Sequence, residues 1–457
     1  MMNIIKKSSY EHVLQDVETP NLYKDIFPYS EIPKVTFNQI QVPMDLPKNI
    51  WITDTTFRDG QQSMPPYSAE QIIRIFDYLH ELDNNSGIIK QTEFFLYTEK
   101  DREAASVCME RGYKFPEVTS WIRANKQDFK LVKDMGIKET GMLMSCSDYH
   151  IFKKLGKTRQ QAMDMYLEIV EEALSNGIRP RCHLEDITRA DFYGFVVPFV
   201  NKLMKLSKES GIPIKIRVCD TLGLGVSYAG ASLPRSVQGL IHGLKVNCGV
   251  PSEMIEWHGH NDFNAVVTNS TTAWLYGASA INTSLLGIGE RTGNCPLESM
   301  IFEYGQLKGI TKNMNLHVIT EIAQYFKNEI KYDIPPRTPF VGRQFNVTRA
   351  GIHADGILKD EEIYNIFDTD KILGRPVVVA VNQYSGLAGI AAWIDTYYRL
   401  KGEEKIDKKD PRIEVIKEWV DQQYVDGRTT IIGNNELELL VEKLMPEIIE
   451  KNNTRAS

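Results

Sequence analysis

NIWITDTT (residues 49–56) is a short run of residues that favour strands, and YSAEQIIRIFDYLHEL (residues 67–82) follows it. The second segment places Ser68 and Gln71 three residues apart, as in a capping box. Its apolar residues recur at the spacing of one helix face. Together the two segments predict a strand followed by an amphipathic helix.

This alternation of strand-like and helix-like segments continues to about residue 287. Helical sequence fills most of the gaps, for example TRQQAMDMYLEIVEEALSNG (158–177), which ends at Gly177. Eight strands, each followed by helical sequence, predict an α/β fold of the (β/α)8 TIM-barrel type. A doubly wound open sheet is the alternative, but no G-x-G-x-x-G follows the first strand. The seven further candidate strands lie near 89–96, 115–120, 138–146, 179–185, 214–220, 254–260 and 279–287.

Three regions are predicted along the chain. Residues 1–48 contain several prolines and no long periodic segment, which indicates an irregular N-terminal arm lying on the main body or on a partner subunit. Residues 49–310 form the TIM-barrel catalytic domain. Residues 311–457 break the alternation, and helix-like stretches near 386–400 and 410–424 predict a mainly helical C-terminal accessory region.

Composition narrows the class of protein. The chain has 457 residues, 42% of them hydrophobic, and a net charge of −7 that comes from dispersed acids. The absence of a basic block argues against nucleic acid as a partner, and the apolar runs are too short to span a membrane. Six cysteines without a C-x-x-C pair, together with an N-terminus unlike a secretory signal, favour free thiols in the cytoplasm.

Two histidines close the seventh predicted strand, in WHGHND (257–262). Side chains two residues apart on a strand share a face, so His258 and His260 point the same way. At the carboxyl end of a barrel strand this direction leads to the mouth, where active sites form. Two imidazoles there can chelate a metal ion that oxygen ligands complete. Taken alone, the H-x-H pattern is more typical of two capped or solvated histidines than of a metal site.

The first strand ends in TDTTFRDGQQ (53–62) and brings Arg58, Asp59 and Gln62 to the same mouth. A carboxylate with two imidazoles makes a site with open positions, which suits a divalent cation that grips a substrate through two oxygens. Arg58 can neutralise charge that develops on that substrate. A plain turn would explain Gly60 but not the neighbouring arginine.

Three later strand ends add polar groups. In RCHLED (181–186), Arg181, His183 and Glu185 share one face, so they either serve a site or satisfy one another as an ion network. VCDTLG (218–223) offers Thr221 at the same level. In GIGERTGNCPLE (287–298) the glycines allow close approach to a ligand, and Asn294 can reach the metal or its surroundings.

These five motifs, in this order, resemble the acyl-CoA/2-oxo-acid Claisen condensing enzymes of the DRE-TIM metallolyase family, which includes isopropylmalate, homocitrate and citramalate synthases. The resemblance covers roughly residues 48–400. Within the family, TTFRDGQQSMPPYS, QTEFFLYTEKDREA, GYKFPEVTSWIRA and WHGHNDF are most similar to the Re-face citrate synthases. The resemblance implies an acyltransferase that condenses acetyl-CoA with oxaloacetate and hydrolyses the thioester, giving citrate and CoA. Alternatives are a synthase using another 2-oxo acid, an HMG-CoA-type lyase, and an inactive binding protein.

The resemblance also implies residue roles. Arg58 stabilises the developing enolate, and His353 in AGIHADG (350–356) is the base that Glu185 assists. The implied metal ligands are Asp59, His258, His260 and Asn294. The implied substrate contacts are Gln62, Arg181, His183 and Thr221. We assign Arg181 and His183 to the distal carboxylate, because a short diacid needs a cation there.

Two departures from the family pattern bear on the substrate. His183 replaces the usual serine of an R-x-S-x-E strand, and Asn125 stands where homocitrate synthases often have histidine. Both argue for an oxo acid other than 2-oxoglutarate. The resemblance favours Mn²⁺ as the cation, with Co²⁺, Zn²⁺ and Mg²⁺ also suited to the ligands. It implies a homodimer that exchanges accessory segments. With only about 150 residues after the barrel, we expect no separate leucine-binding regulatory domain.

Overall fold

The structure is a computed structural model in which residues 10–449 are described. The chain divides into two compact units, and the division falls between Asn315 and Leu316. Within the described range, no helix combines the length and the apolar character needed to cross a membrane.

The first unit contains eight parallel strands that close on themselves, with β1 paired to both β2 and β8. The predicted TIM barrel is therefore confirmed, as is the position of every predicted strand. The strands are β1 Trp51–Asp54, β2 Ile89–Phe94, β3 Glu117–Arg123, β4 Glu139–Ser145, β5 Arg179–Glu185, β6 Lys215–Asp220, β7 Ile255–Gly259 and β8 Ala280–Thr283.

One principal helix follows each strand. The predicted capping box of α1 is present, because Ser68 Oγ accepts a hydrogen bond from the Gln71 amide and Gln71 Oε1 accepts one from the Ser68 amide. Helix α4 begins with the same arrangement at Thr158 and ends just before Gly177, whose φ is +69°. The helices are α1 Ala69–Asp83, α2 Glu99–Glu110, α3 Lys126–Asp134, α4 Arg159–Ser175, α5 Val197–Ser210, α6 Val237–Cys248, α7 Val266–Leu275 and α8 Leu297–Lys308.

The eighth strand is shorter than predicted. Strand β8 ends at Thr283 rather than near residue 287, and Leu285–Gly287 form a short 3₁₀ turn in which Leu286 has a φ of +57°. The chain leaves the sheet here because the Ser284 amide donates to the carbonyl of Cys295 at 3.0 Å. This contact folds the loop after β8 back over the barrel mouth.

The barrel has an apolar layer outside its strands and a charged interior. Cys182 and Leu184 face outward and are fully buried, as the alternation along β5 predicts. The inward residues instead form one network of hydrogen bonds and ion pairs that touches all eight strands. Its members are Thr53, Gln91, Glu93, Thr119, Glu139, Arg181, Lys215, Arg217, Glu256 and Asn282.

The arm at 10–48 contains no helix or strand and lies on the barrel unit. Arg159, which is fully buried at the start of α4, anchors it: one guanidinium nitrogen donates to the carbonyl of Gln15 at 3.0 Å and also contacts Asp191. The other nitrogens donate to Asp148, whose carboxylate also accepts from the Asn21 amide at 2.7 Å. The arm is thus joined to the loops that follow β4 and β5.

The second unit is mainly helical, as predicted. Helices α12 and α13 correspond to the predicted stretches near 386–400 and 410–424, and Trp393 is buried in the apolar core of this unit. A short parallel pair, β9 Val347–Thr348 and β10 Val378–Val379, completes it. The helices are α9 Val318–Tyr325, α10 Gly351–Lys359, α11 Thr369–Leu373, α12 Leu387–Tyr397, α13 Pro411–Val425 and α14 Asn434–Leu444.

Candidate metal-binding active site

Asp59, His258 and His260 come together at the mouth of the barrel. Asp59 lies in the π-helical turn Thr56–Gly60 after β1, while the histidines lie at the end of β7 and just beyond it. The Nε2 atoms of the two histidines are 3.3 Å apart and lie 3.8 and 3.7 Å from Asp59 Oδ2. Among residues 10–449 this is the one group of three His, Cys, Asp or Glu side chains whose ligand atoms converge in this way.

A hydrogen-bond chain fixes the tautomer of His258. Its Nδ1–H donates to Asn282 Oδ1 at 2.8 Å, and Asn282 Nδ2 in turn donates to Thr53 Oγ1 at 3.0 Å. The Nε2 atom of neutral His258 is then left with a bare lone pair that faces Nε2 of His260. A metal ion is the usual partner for an imidazole nitrogen oriented in this manner.

The protonation states suit a cation. Burial lowers the pKa of His258 to about 3 and lowers the pKa of His260, so both rings are neutral near pH 7. Burial alone would raise the pKa of Asp59, but the neighbouring positive charge of Arg58 holds it well below its usual range. The group therefore presents one carboxylate and two neutral imidazoles.

Asn294 lies next to this group, held by the loop that follows β8. Its backbone forms an antiparallel β-bridge with His260. Its side-chain amide packs so closely on Gly289 that a Cβ at that position would lie 2.6 Å from Asn294 Cγ. Among residues 10–449, neither polar atom of the Asn294 amide has a partner at hydrogen-bond geometry, and neither has Asp59 Oδ2 or His260 Nδ1, although Asn294 lies close enough to Asp59 to help lower the pKa of that carboxyl. Buried polar atoms without partners are rare and mark places where an ion or ligand belongs. The donor set and its unpartnered atoms fit a divalent cation.

Arg58 is held between two carboxylates beside this group. Its Nη1 donates to Asp59 Oδ1 at 2.6 Å and its Nε to Glu93 Oε1 at 2.8 Å, while the guanidinium lies 5.4 Å from the centre of the Trp121 ring. The arginine is 7% exposed. Its positive charge is thus fixed at the mouth, as an electrostatic role there requires.

Arg181 and His183 lie one layer deeper. Arg181 donates to Glu93 at 2.6 Å and to Glu139 at 3.0 Å, so its charge is already balanced inside the barrel. Its Nε also donates to His183 Nε2 at 3.4 Å. Burial and the neighbouring Arg217 hold the pKa of His183 well below its usual range, so this imidazole is neutral.

Glu185 lies at the end of β5 in a cluster that the sequence did not predict. His150 Nδ1 lies 3.0 Å from Glu185 Oε2, Lys154 Nζ lies 3.2 Å from the same oxygen, and Ser145 Oγ donates to it. Burial would raise the pKa of Glu185, yet these partners lower it to about 2. Glu185 is therefore a carboxylate near neutral pH, in contact with an imidazole.

The other predicted residues have varied surroundings. Thr221 Oγ1 accepts a hydrogen bond from the Asp186 amide at 2.8 Å, and Gln62 is exposed while Gln61 is buried against Asp101. Asn125, the departure noted above, caps α3 by accepting from the Asp128 amide. Their substrate roles remain predictions.

Residues 49–326 match the HMGL-like family. The chain belongs to this family. The citrate (Re)-synthase of Clostridium kluyveri is 78% identical to it over 453 residues, which cover 99% of this chain and 100% of that protein. The citrate (Re)-synthase of Syntrophus aciditrophicus is 54% identical over 435 residues, covering 95% of this chain and 69% of that protein.

The barrel fold of this HMGL-like protein is also found in solved structures. The HMG-CoA lyase of Bacillus subtilis superimposes with a TM-score of 0.51 at 20% identity, covering 64% of this chain and 98% of that one. At this identity the likeness supports the barrel fold alone.

His353 belongs to the second unit of this family member. It is exposed on α10, and its ring centroid lies 4.2 Å from that of Tyr364. Its assignment as a catalytic base stays a prediction.

Proposed function

We propose that this protein condenses the acetyl group of acetyl-CoA with oxaloacetate in a metal-dependent reaction and then hydrolyses the thioester, giving citrate and CoA. One observation carries the proposal: the 78% identity to a citrate (Re)-synthase extends over the full length of that protein. The activity would make this HMGL-like protein an acyltransferase.

Asp59, His258 and His260 would hold the divalent cation, with Asn294 as a further ligand or a close neighbour. When bound, the cation supplies Lewis-acid stabilisation for negative charge on the ketone oxygen of the 2-oxo acid. The carboxylate and imidazole donors suit Mn²⁺, which the family resemblance favours, and also Co²⁺, Zn²⁺ and Mg²⁺. Arg58 faces the same region and would stabilise the enolate oxygen formed from the thioester.

Removal of a methyl proton from acetyl-CoA needs a base. We propose His353 for this role, with Glu185 assisting, as the family resemblance implies. The contact of 3.0 Å between Glu185 and His150 makes His150 the alternative base within the barrel unit. A neutral imidazole suits general-base catalysis near pH 7. The relative loss of activity in His353→Ala and His150→Ala would separate the two.

The distal carboxylate of oxaloacetate needs a hydrogen-bond donor. Because His183 Nε2 accepts from Arg181, the proton of this neutral ring is on Nδ1, which can donate to a carboxylate. Arg181 is already paired with Glu93 and Glu139, so we propose that it acts by orienting His183. Thr221 and Gln62 are proposed as further contacts to the oxo acid.

We also propose a cellular location and an oligomeric state for the enzyme. All six cysteines are free and buried, which favours the reducing cytoplasm. We propose a homodimer that exchanges accessory segments, on the family resemblance alone.

A panel of oxo acids tests the reaction. The purified protein is mixed with acetyl-CoA, Mn²⁺ and one acid at a time, and the released thiol is measured with a chromogenic reagent. We expect thiol release with oxaloacetate at a rate at least about tenfold above 2-oxoglutarate, 2-oxoisovalerate and pyruvate. Citrate should be the product, and a strong chelator should abolish the rate until a divalent cation is restored. Faster turnover of another acid, or full activity after thorough metal removal, would refute the proposal.

A further inference from the structure

Gly141 occupies an unusual place for a glycine. It is buried in the middle of β4, where it pairs with Arg181 of β5. Its φ lies outside the left-handed region, so the backbone conformation does not require glycine. A glycine inside a strand weakens that strand, and it commonly marks a point where another group approaches closely.

The group that approaches Gly141 is the imidazole of His183. A Cβ built on Gly141 would lie 2.5 Å from His183 Nε2 and 2.8 Å from His183 Cε1. It would also lie 3.0 Å from Glu93 Oε2. The first two distances are far inside van der Waals contact, so any side chain at position 141 must move the ring.

The ring has little freedom to move. His183 is 2% exposed, its Nε2 accepts from Arg181 Nε, and Glu93 Oε2 lies 3.5 Å away. Arg181 is itself fixed by ion pairs with Glu93 and Glu139. A methyl group at position 141 would therefore tilt the imidazole away from the bond to Arg181, and so change the direction in which Nδ1–H points.

We propose that Gly141 is a specificity-determining position, whose missing side chain keeps the His183 imidazole in the orientation that binds the distal carboxylate of the oxo acid. The inference rests on the proposed function, and on His183 in particular. Gly141 acts through His183 and touches no substrate, so it is a positioning residue.

A double-mutant cycle tests the proposal with the full chain loaded with Mn²⁺. Gly141→Ala should lower kcat/KM for oxaloacetate at least about tenfold, mainly by raising KM. His183→Ser removes the ring, so adding Gly141→Ala to it should cost less than about twofold. Gly386→Ala is the control for the substitution, because Gly386 has φ −80° and no atom near its missing Cβ. This control should match the wild type.

Two results would overturn the inference: full activity in Gly141→Ala, or an equal loss with and without His183. An equal loss would mean that the methyl group acts through Glu93. The midpoint of thermal unfolding is measured for all four proteins, and the same non-additivity is expected there. If the wild-type protein prefers another 2-oxo acid, the proposed function fails, and the cycle is run with the preferred acid to judge Gly141 separately.

Discussion

The barrel contains two groups of buried charges that differ in how fully they are satisfied. In the interior, Glu93 meets Arg58, Arg181 and Arg217, and these arginines have further carboxylate partners. At the mouth, Asp59 Oδ2, His260 Nδ1 and both polar atoms of Asn294 have no partner at hydrogen-bond geometry in the part of the chain that the structure describes. Among these four interior residues, the one fully buried polar atom without a partner in the described range is Nη2 of Arg217.

The paired charges in the interior serve the fold, whereas the unpartnered groups at the mouth are available to a ligand. Buried ionic groups that pair with one another offset the free-energy cost of removing their charges from water. The unpartnered groups at the mouth are buried without hydrogen bonds until a ligand binds. Ligand binding then recovers the free energy lost by burying them. The same residue types therefore serve opposite purposes only one layer apart.

Removing a mouth ligand should have the largest effect on activity. His258→Ala should lower the rate of thiol release by at least about 100-fold, since Lewis-acid stabilisation contributes several kcal/mol. The fold should persist, because His258→Ala leaves the backbone pairing of β7 with β6 and β8 in place and removes only the side-chain hydrogen bond to Asn282. The measurement pairs kinetics with bound-metal analysis, and His317→Ala, an exposed histidine of the second unit, is the control. If His258→Ala kept both its bound metal and its activity, the mouth groups would not have the binding role that distinguishes them from the interior pairs.

Removing an interior cation should reduce stability instead. Arg217 is fully buried and donates to Glu256 at 2.7 Å and to Glu93 at 3.1 Å. Arg217→Met should lower the free energy of unfolding by about 3–5 kcal/mol, because it leaves buried carboxylates uncompensated. Denaturant titration measures this. The exposed pair of Arg74 with Glu81 gives the control, since Arg74→Met should cost less than about 1 kcal/mol.

Glu298 offers a third case, a buried carboxylate that has no cationic partner among residues 10–449. It is 3% exposed, accepts from the Leu286 amide at 3.1 Å, and burial raises its pKa to about 7. The native state then binds the proton more tightly than the unfolded state, so stability falls as pH rises from about 4.5 to 7. Glu298→Gln should gain about 3 kcal/mol over the wild type across that window. A pH-independent difference between the two would contradict this.

The smallest effect is expected for Asn282, whose side chain orients His258 at the mouth. Asn282→Leu removes the acceptor for His258 Nδ1–H and should weaken Mn²⁺ binding about 10–100-fold. Calorimetry of the metal-free protein measures the affinity without reference to turnover. Asn282→Asp keeps an acceptor and should bind more tightly than Asn282→Leu. Equal affinity in both variants would mean that orientation of His258 by position 282 is unimportant.

Much of the fold could be predicted from the sequence. Alternating strand and helix patterns fix a parallel barrel, because each helix must return the chain to the same end. The period of two along a strand also places His258 and His260 on one face, and the geometry at the mouth agrees with this. Asp59 could be added because it follows a strand end in the same barrel.

The rest depended on contacts between strands that no single segment encodes. The alternation along β5 correctly put Arg181 inside the barrel, but not beside Glu93 and Glu139. Asn282 and His150 were missed because neither belongs to a recognisable motif. Gly141 gave no signal either, since only the closed barrel brings it against His183.

The attachment of the arm through Arg159 has a practical consequence. Because Gln15 and Asn21 share that anchor with Asp148 and Asp191, shortening the chain past this point would unseat loops bordering Glu185. Trimmed versions made for expression or crystallisation would then report weakened turnover although every catalytic side chain is retained.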